Sequence, residues 1–144
     1  MKTVNVGLIG FGVVGSGVAQ LLTQQRELLA RRLGADLVLK KVADLDLERP
    51  RPVTVDRDLL TTRAQDILDD PDIHIMVELM GGLSPARDYM LAAIERGKHV
   101  VTANKALLAH HGNEILSAAA ARGVEVAFEA AVCGGVPIIL ALRQ

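Results

Sequence analysis

Two rhythms of apolar residues alternate along this chain. Short runs that alternate or stay continuously apolar give way to longer stretches in which apolar residues recur every three or four positions. The first run is Val4, Val6, Leu8 and Ile9, which predicts a strand over residues 4–9. A helical pattern follows over 13–33, with Leu21, Leu22, Leu28, Leu29 and Leu33 available for burial and Gly34 as its stop. A second strand is expected over 37–43. The charged segment 44–58 holds Pro50 and Pro52 and reads as a loop, with room for a short strand over 53–55. Thr61 or Thr62 can cap a short helix running to residue 68, and Pro71-Asp72 makes a turn.

The same alternation continues to the end. A strand is predicted over 73–79 and is broken by Gly81-Gly82. Ser84 is placed to cap a helix with Pro85 in its first position and Gly97 at its end. A strand over 99–102 leads into a helix over 105–122, interrupted near Gly112 and closed by Gly123. A last strand covers 124–128, a loop covers 129–137, and a further apolar helical stretch begins at Val136. That stretch stops at Gln144 with no capping glycine and no polar tail. Residues 1–135 are therefore expected to form one domain, and 136–144 to open the connection to a further domain of a longer protein.

Strands that alternate with helices and are nearly continuously apolar imply a parallel sheet covered on both faces, a doubly wound α/β architecture. Ligands of such sheets bind beyond the carboxyl ends of the strands. The segments to inspect are then 10–15, 43–46, 79–82, 102–105 and 129–135. The first is the most telling. Gly10-Phe11-Gly12-Val13-Val14-Gly15 stands between a strand and a helix, the context in which G-x-G-x-x-G is a dinucleotide fingerprint of the Rossmann type. Gly10 permits the tight turn, Gly12 lets a pyrophosphate approach the backbone, and Gly15 lets the helix pack on the sheet. The helix N-terminus then offers free N–H groups to the phosphates. A glycine-rich turn that binds nothing is the plainer alternative.

The fingerprint expects an acid at the end of the second strand, for the ribose hydroxyls. Asp44 is placed there, and the long first helix accounts for a spacing beyond the usual ~20 residues. An acid repels a 2′-phosphate, so Asp44 argues for NAD. Arg49 and Arg51 lie just downstream and could reach such a phosphate, which keeps NADP open. By the same edge rule, Gly81 and Thr102 are candidate cofactor contacts.

Lys105 follows the 99–102 strand through Thr102-Ala103-Asn104. At the ligand edge a lysine can bind a carboxylate, orient a carbonyl or move a proton. Its neighbours Val100, Val101, Ala106, Leu107 and Leu108 predict an apolar setting. Glu129 ends the last strand beside Cys133-Gly134-Gly135, an arrangement that suits a hard cation, a polar substrate or a simple hinge. Glu78 could lie near a nicotinamide or cap a backbone group. His74, His99, His110 and His111 form no metal pattern, and Cys133 reads as a packed thiol.

Bulk composition narrows the classes. The 144 residues suit one domain, and half of them are apolar. The net charge of −1 comes with no basic stripe, so nucleic acid is not an expected partner. One cysteine allows no internal disulfide and points to a reducing, cytoplasmic setting. The N-terminus shows no secretory pattern, and no apolar run approaches the ~20 residues that span a bilayer.

Four motifs together resemble homoserine dehydrogenase: GFGVVGSGV at the N-terminus, VELMGG at 77–82, GKHVVTANKALLA at 97–109 and FEAAVCGGVPII at 128–139. They occur in order and cover that family's nucleotide-binding portion, which continues into a substrate and dimerisation domain. The resemblance implies reversible NAD(P)-dependent reduction of L-aspartate 4-semialdehyde to L-homoserine by hydride transfer, on the route to threonine and methionine. It implies a small-molecule substrate and a homo-oligomer. Lys105 matches the lysine beside the nicotinamide and the reacting oxygen. Phe11, Val13 and Val14 match backbone contacts to the pyrophosphate and ribose. Glu129, with the carbonyls of Val132, Gly134 and Val136, matches a sodium site. The family's second catalytic lysine falls beyond Gln144, so this stretch alone is expected to be inactive. Many members carry a basic residue where this chain has Asp44-Leu45-Asp46. A stand-alone dinucleotide-binding module without catalysis is the alternative.

Overall fold

The computed structural model describes residues 1–131 and residue 142. Within them the elements run β1 (Lys2–Ile9), α1 (Val13–Gln24), α2 (Arg26–Leu33), β2 (Ala35–Ala43), β3 (Leu60–Thr61), α3 (Gln65–Leu68), β4 (Ile75–Glu78), α4 (Ala86–Glu95), β5 (His99–Thr102), α5 (Lys105–Arg122) and β6 (Val126–Ala127). The strands form one parallel sheet in the order β3-β2-β1-β4-β5-β6. The order turns back on itself between β1 and β4, so a crevice opens where the chain leaves β1 in one direction and β4 in the other. All strand ends that matter for a ligand lie on one edge.

Two cores explain why the strands are apolar on both sides. Leu8, Val42 and Val77 face one layer with Ala19 and Leu22 of α1. Ile9, Met76 and Val100 face the other, against Ile67, Met90, Ile94, Leu107 and Ile115 of α3, α4 and α5. Neighbouring residues of a strand thus serve opposite layers, as the pleat requires. Full burial of each such aliphatic side chain stabilises the fold by about 1.5–3 kcal/mol. No helix among the described residues is long and apolar enough to cross a membrane.

Several elements depart from the pattern. The predicted 13–33 helix is two helices, broken at Gln25 (φ −106°, ψ 18°). Arg26 donates two hydrogen bonds to Asp36 at 2.7 and 2.6 Å, tying α2 to the start of β2. Leu21 and Leu33 consequently stay exposed. The expected strand at 53–55 is absent; Val53 drops into the core and the pairing with β2 is made by Leu60–Thr61 instead. Residue Ser84 does not cap α4: Pro85 occupies the cap position, the helix starts at Ala86, and no side chain caps it. The interruption expected at Gly112 falls one residue earlier, at His111 (φ −130°). β5 spans the predicted residues.

The opposite edge of the sheet is tied by side chains. His74 Nδ1 accepts from Asn5 N at 2.9 Å, and His99 Nδ1 accepts from Glu125 N at 3.0 Å. Lys98 Nζ, buried, donates to the carbonyls of Asp70 and Ile73. Burial lowers its pKa from the ordinary lysine value. These histidines and this lysine are structural ties on the edge away from the crevice.

Candidate functional site

The glycine-rich turn is built by close backbone approach. Gly10 has φ 106°, and a Cβ there would lie 2.6 Å from the Leu79 carbonyl carbon, so the chain leaves β1 hard against the end of β4. At Gly15 a Cβ would lie 2.0 Å from the Gly10 carbonyl oxygen, so only glycine lets α1 start this near the turn. Gly12 is different: a Cβ there would meet only Arg49 Nη2, at 3.7 Å. The space over Gly12 is open to a ligand and faces a guanidinium. No side chain caps α1 and no acid sits in its first turn, so its leading N–H groups are available to an anion. Val13 and Val14 are exposed beside them. These features fit a pyrophosphate.

Asp44 reaches across to this turn. Its Oδ2 accepts from Phe11 N at 2.7 Å and its Oδ1 from Asp46 N at 2.8 Å. Arg51 Nη2 lies 3.8 Å from Oδ1. The acid is therefore a staple between the β2 end and the glycine turn, with lone pairs left for a ligand hydroxyl. The Arg51 side chain is almost wholly covered and serves the same junction. It donates to the carbonyls of Phe11, Asp46 and Arg49, and its guanidinium stacks 4.4 Å above the Phe11 ring. Of the two arginines, Arg49 is the one at the cleft. A cavity of about 340 Å³ runs from Gly10 and Gly12 past Asp44, Leu45 and Arg49 to Met80, Pro85 and Tyr89.

A second network joins the next two strand ends. Glu78 is fully buried, and its carboxylate accepts from three donors. Oε2 takes Met80 N at 2.9 Å and Gly81 N at 3.1 Å, and Oε1 takes the Thr102 hydroxyl at 2.8 Å. Thr102 Oγ1 accepts from Asn104 N at 3.0 Å. Asn104 then donates through Nδ2 to Gly82 O at 2.6 Å and caps α5 by accepting from Leu107 N at 3.0 Å. Glu78 thus takes the backbone-capping role of its two expected ones. The Thr102 hydroxyl is committed inside the protein. Gly81 and Gly82 hold φ of 77° and 74° in the turn that Glu78 closes.

Lys105 is the first residue of α5 and is exposed. The apolar setting expected from its neighbours is not found: helical geometry turns Leu107 inward and leaves the lysine in solvent. Glu129 lies half-buried in a 3-10 turn, Glu129–Ala131, just past β6. Val132, Cys133, Gly134 and Val136 lie outside the described residues. Among the described residues no cluster of ligand types could hold a metal. His110 and His111 line a separate cavity of about 470 Å³ at the α5 kink with Leu116 and Phe128, sharing no residue with the Gly12 cleft.

Sequence reasoning offered Arg51 only as a possible phosphate contact and did not single out Asn104 or Ser16. Arg51 and Asn104 act through contacts at long range or through a cap, although Asn104 before a helical run is a readable cap signal. Ser16, in the first turn of α1, holds a buried hydroxyl with no hydrogen-bond partner.

Comparison with known proteins agrees with this geometry. A family model described as the NAD binding domain of homoserine dehydrogenase matches residues 10–129. The homoserine dehydrogenase of Bacillus subtilis is 41% identical over 144 residues, covering 100% of this chain and 33% of that protein. The crystal structure of a homoserine dehydrogenase from Thiobacillus denitrificans superposes with a TM-score of 0.89 at 48% identity, over 100% of this chain and 33% of that one. A hyperthermophilic archaeal homoserine dehydrogenase in complex with NADPH shares the fold, with a TM-score of 0.75 at 20% identity over 98% of this chain and 48% of that one. The chain spans about a third of the length of the curated relatives it matches.

Proposed function

This chain belongs to the homoserine dehydrogenase NAD-binding domain family, and from that premise we propose that it holds the nicotinamide dinucleotide for reversible reduction of L-aspartate 4-semialdehyde to L-homoserine. The observation that carries the reading is the open, uncapped first turn of α1 at Gly12, set at the reversal of strand order and flanked by Asp44 and Arg49. When bound, the cofactor supplies a hydride acceptor or donor. The chain's own residues do the rest. Gly12 and the N–H groups of α1 receive the pyrophosphate, with Val13 and Val14 contributing backbone, while Phe11, whose N–H is held by Asp44, shapes the turn. Asp44 offers its remaining lone pairs to the ribose hydroxyls. Gly81 and Thr102 belong to the two turns on the nicotinamide side.

The site takes either NAD or NADP in this reading. The charge of Asp44 favours NAD, but Arg51 offsets it at 3.8 Å and Arg49 stands ready for a 2′-phosphate. The NADPH complex of the archaeal relative supports that second half.

Lys105 carries the chemistry proposed for this stretch. Its exposed ammonium at the ligand edge can bind the carbonyl oxygen and hold a proton for the alkoxide that forms. Glu129 is proposed as the carboxylate of a sodium site completed by the carbonyls of Val132, Gly134 and Val136. Residues 1–135 are read as the cofactor domain and 136–144 as the connection to a substrate and dimerisation domain, in a cytoplasmic homo-oligomer serving threonine and methionine synthesis. The test is Lys105→Ala in the full-length protein. Turnover of homoserine should fall by orders of magnitude with cofactor affinity nearly intact; unchanged turnover removes Lys105 from the reaction. Loss of sodium stimulation in Glu129→Ala checks the cation.

A further inference from the structure

The reversal of strand order divides the cofactor's path. Asp44 and Arg49 stand on the β2 side of β1, where the fingerprint places the adenosine ribose. The nicotinamide half must then cross the ends of β4 and β5, over the 79–82 turn and the turn that leads to Lys105. Nothing in the chain joins those two turns covalently at short range; Asn104 bonds Gly82 O directly, and one buried carboxylate with the Thr102 hydroxyl ties the same two turns from beneath.

We infer that Glu78 is a positioning residue that sets the relation between the two turns flanking the nicotinamide, and so places Lys105. The inference rests on the cofactor reading above. Glu78 is wholly buried, so it touches neither solvent nor ligand. Through Oε2 it closes the Met80–Gly81 backbone, and through Oε1 and the Thr102 hydroxyl it fixes Asn104 N. Asn104 returns the tie to Gly82 O and caps the helix that begins with Lys105. A carboxylate can accept from all three donors at once, whereas an apolar residue would strip two part-buried backbone N–H groups of this acceptor. Glutamine is nearly isosteric but cannot serve every donor. With its oxygen on Met80 and Gly81, its amide meets the Thr102 hydroxyl, which must then give up its donor bond.

Calorimetric titration of the 144-residue chain with NADH and with ADP-ribose tests this, because the second ligand lacks only the nicotinamide. The wild-type chain is expected to bind NADH more tightly than ADP-ribose. Glu78→Gln and Thr102→Val should each lower NADH affinity by about tenfold while ADP-ribose stays within about twofold. Thr102→Ser keeps the hydroxyl and should keep the wild-type preference. If Glu78→Gln does not fold, the Thr102 pair decides. Parallel losses for both ligands, or an unchanged NADH affinity in Thr102→Val, overturn the inference. So does a wild-type chain that binds the two ligands equally, since the turns then grip no nicotinamide. A wild-type chain that binds neither ligand overturns the cofactor reading itself, and the inference falls with it.

Discussion

The carboxylate of Asp44 accepts the N–H of Phe11 at 2.7 Å, which makes the end of β2 and the glycine turn after β1 one mechanical unit. An acid at this place in a dinucleotide fold is expected to serve the ribose. Here it also builds the turn that meets the pyrophosphate. Asp44→Ala should therefore weaken both cofactors, NAD by about tenfold, the value of a lost hydrogen bond to a charged group, and NADP by less because the repulsion on its 2′-phosphate goes too. Calorimetry with the two cofactors checks this. A loss confined to NAD would reduce Asp44 to a ribose ligand alone.

Selectivity should lie with Arg49. Its guanidinium is the group nearest the open face of Gly12, whereas the Arg51 side chain is covered and stacked on the Phe11 ring. Arg49→Ala is expected to cost NADP about tenfold and NAD little, as befits a charge-assisted contact to phosphate. The NADP affinity of the wild type should also fall more steeply with salt. Equal effects on both cofactors would place the 2′-phosphate elsewhere.

Two glycines of α1 should respond oppositely. A Cβ at Gly15 collides with the Gly10 carbonyl, so Gly15→Ala should destabilise by about 1–3 kcal/mol or more and impair cofactor binding. A Cβ at Gly17 meets nothing within 4 Å, so Gly17→Ala should stabilise by about 0.5–1 kcal/mol through helix propensity. Urea unfolding of both variants reads the difference in sign.

Acid should loosen the edge of the sheet away from the crevice. The Lys40 ammonium, 2.6 Å from Asp70, holds that carboxyl below the usual aspartate value. The Arg87 guanidinium does the same for Glu114, joining α4 to α5. A depressed carboxyl binds fewer protons folded than unfolded. Its contribution is thus complete above the unfolded value of about 4 and is lost as pH falls through the folded value. Lys40→Met should flatten the fall in urea midpoint between neutral pH and about pH 3; an unchanged slope would remove Asp70 from the acid response.

What the sequence disclosed is what local rules govern. β5 could be bounded at His99–Thr102 because an apolar run follows the helix stop at Gly97 and gives way to a helical pattern from Lys105. The three glycine roles followed from a strand-to-helix turn; those of Gly10 and Gly15 have a steric counterpart, whereas a Cβ at Gly12 would meet only Arg49 Nη2 at 3.7 Å. Tertiary partners were out of reach. The break at Gln25 accompanies the pairing of Arg26 with Asp36, and the loop 44–58 is shaped by Val53 entering the core. Asp44 finds Phe11 across 33 positions and Thr102 finds Glu78 across 24, separations at which no periodicity reports. For Lys105 the apolar neighbours misled, because a helix sends adjacent residues in different directions.

The most direct measurement is calorimetric titration of this chain with NAD and NADP, alongside circular dichroism to establish that it is folded. Both are expected to bind at micromolar strength, with the preference moved toward NAD by Arg49→Ala. A folded chain that binds neither would contradict the cofactor reading, leaving the glycine turn as a packing device between β1 and α1.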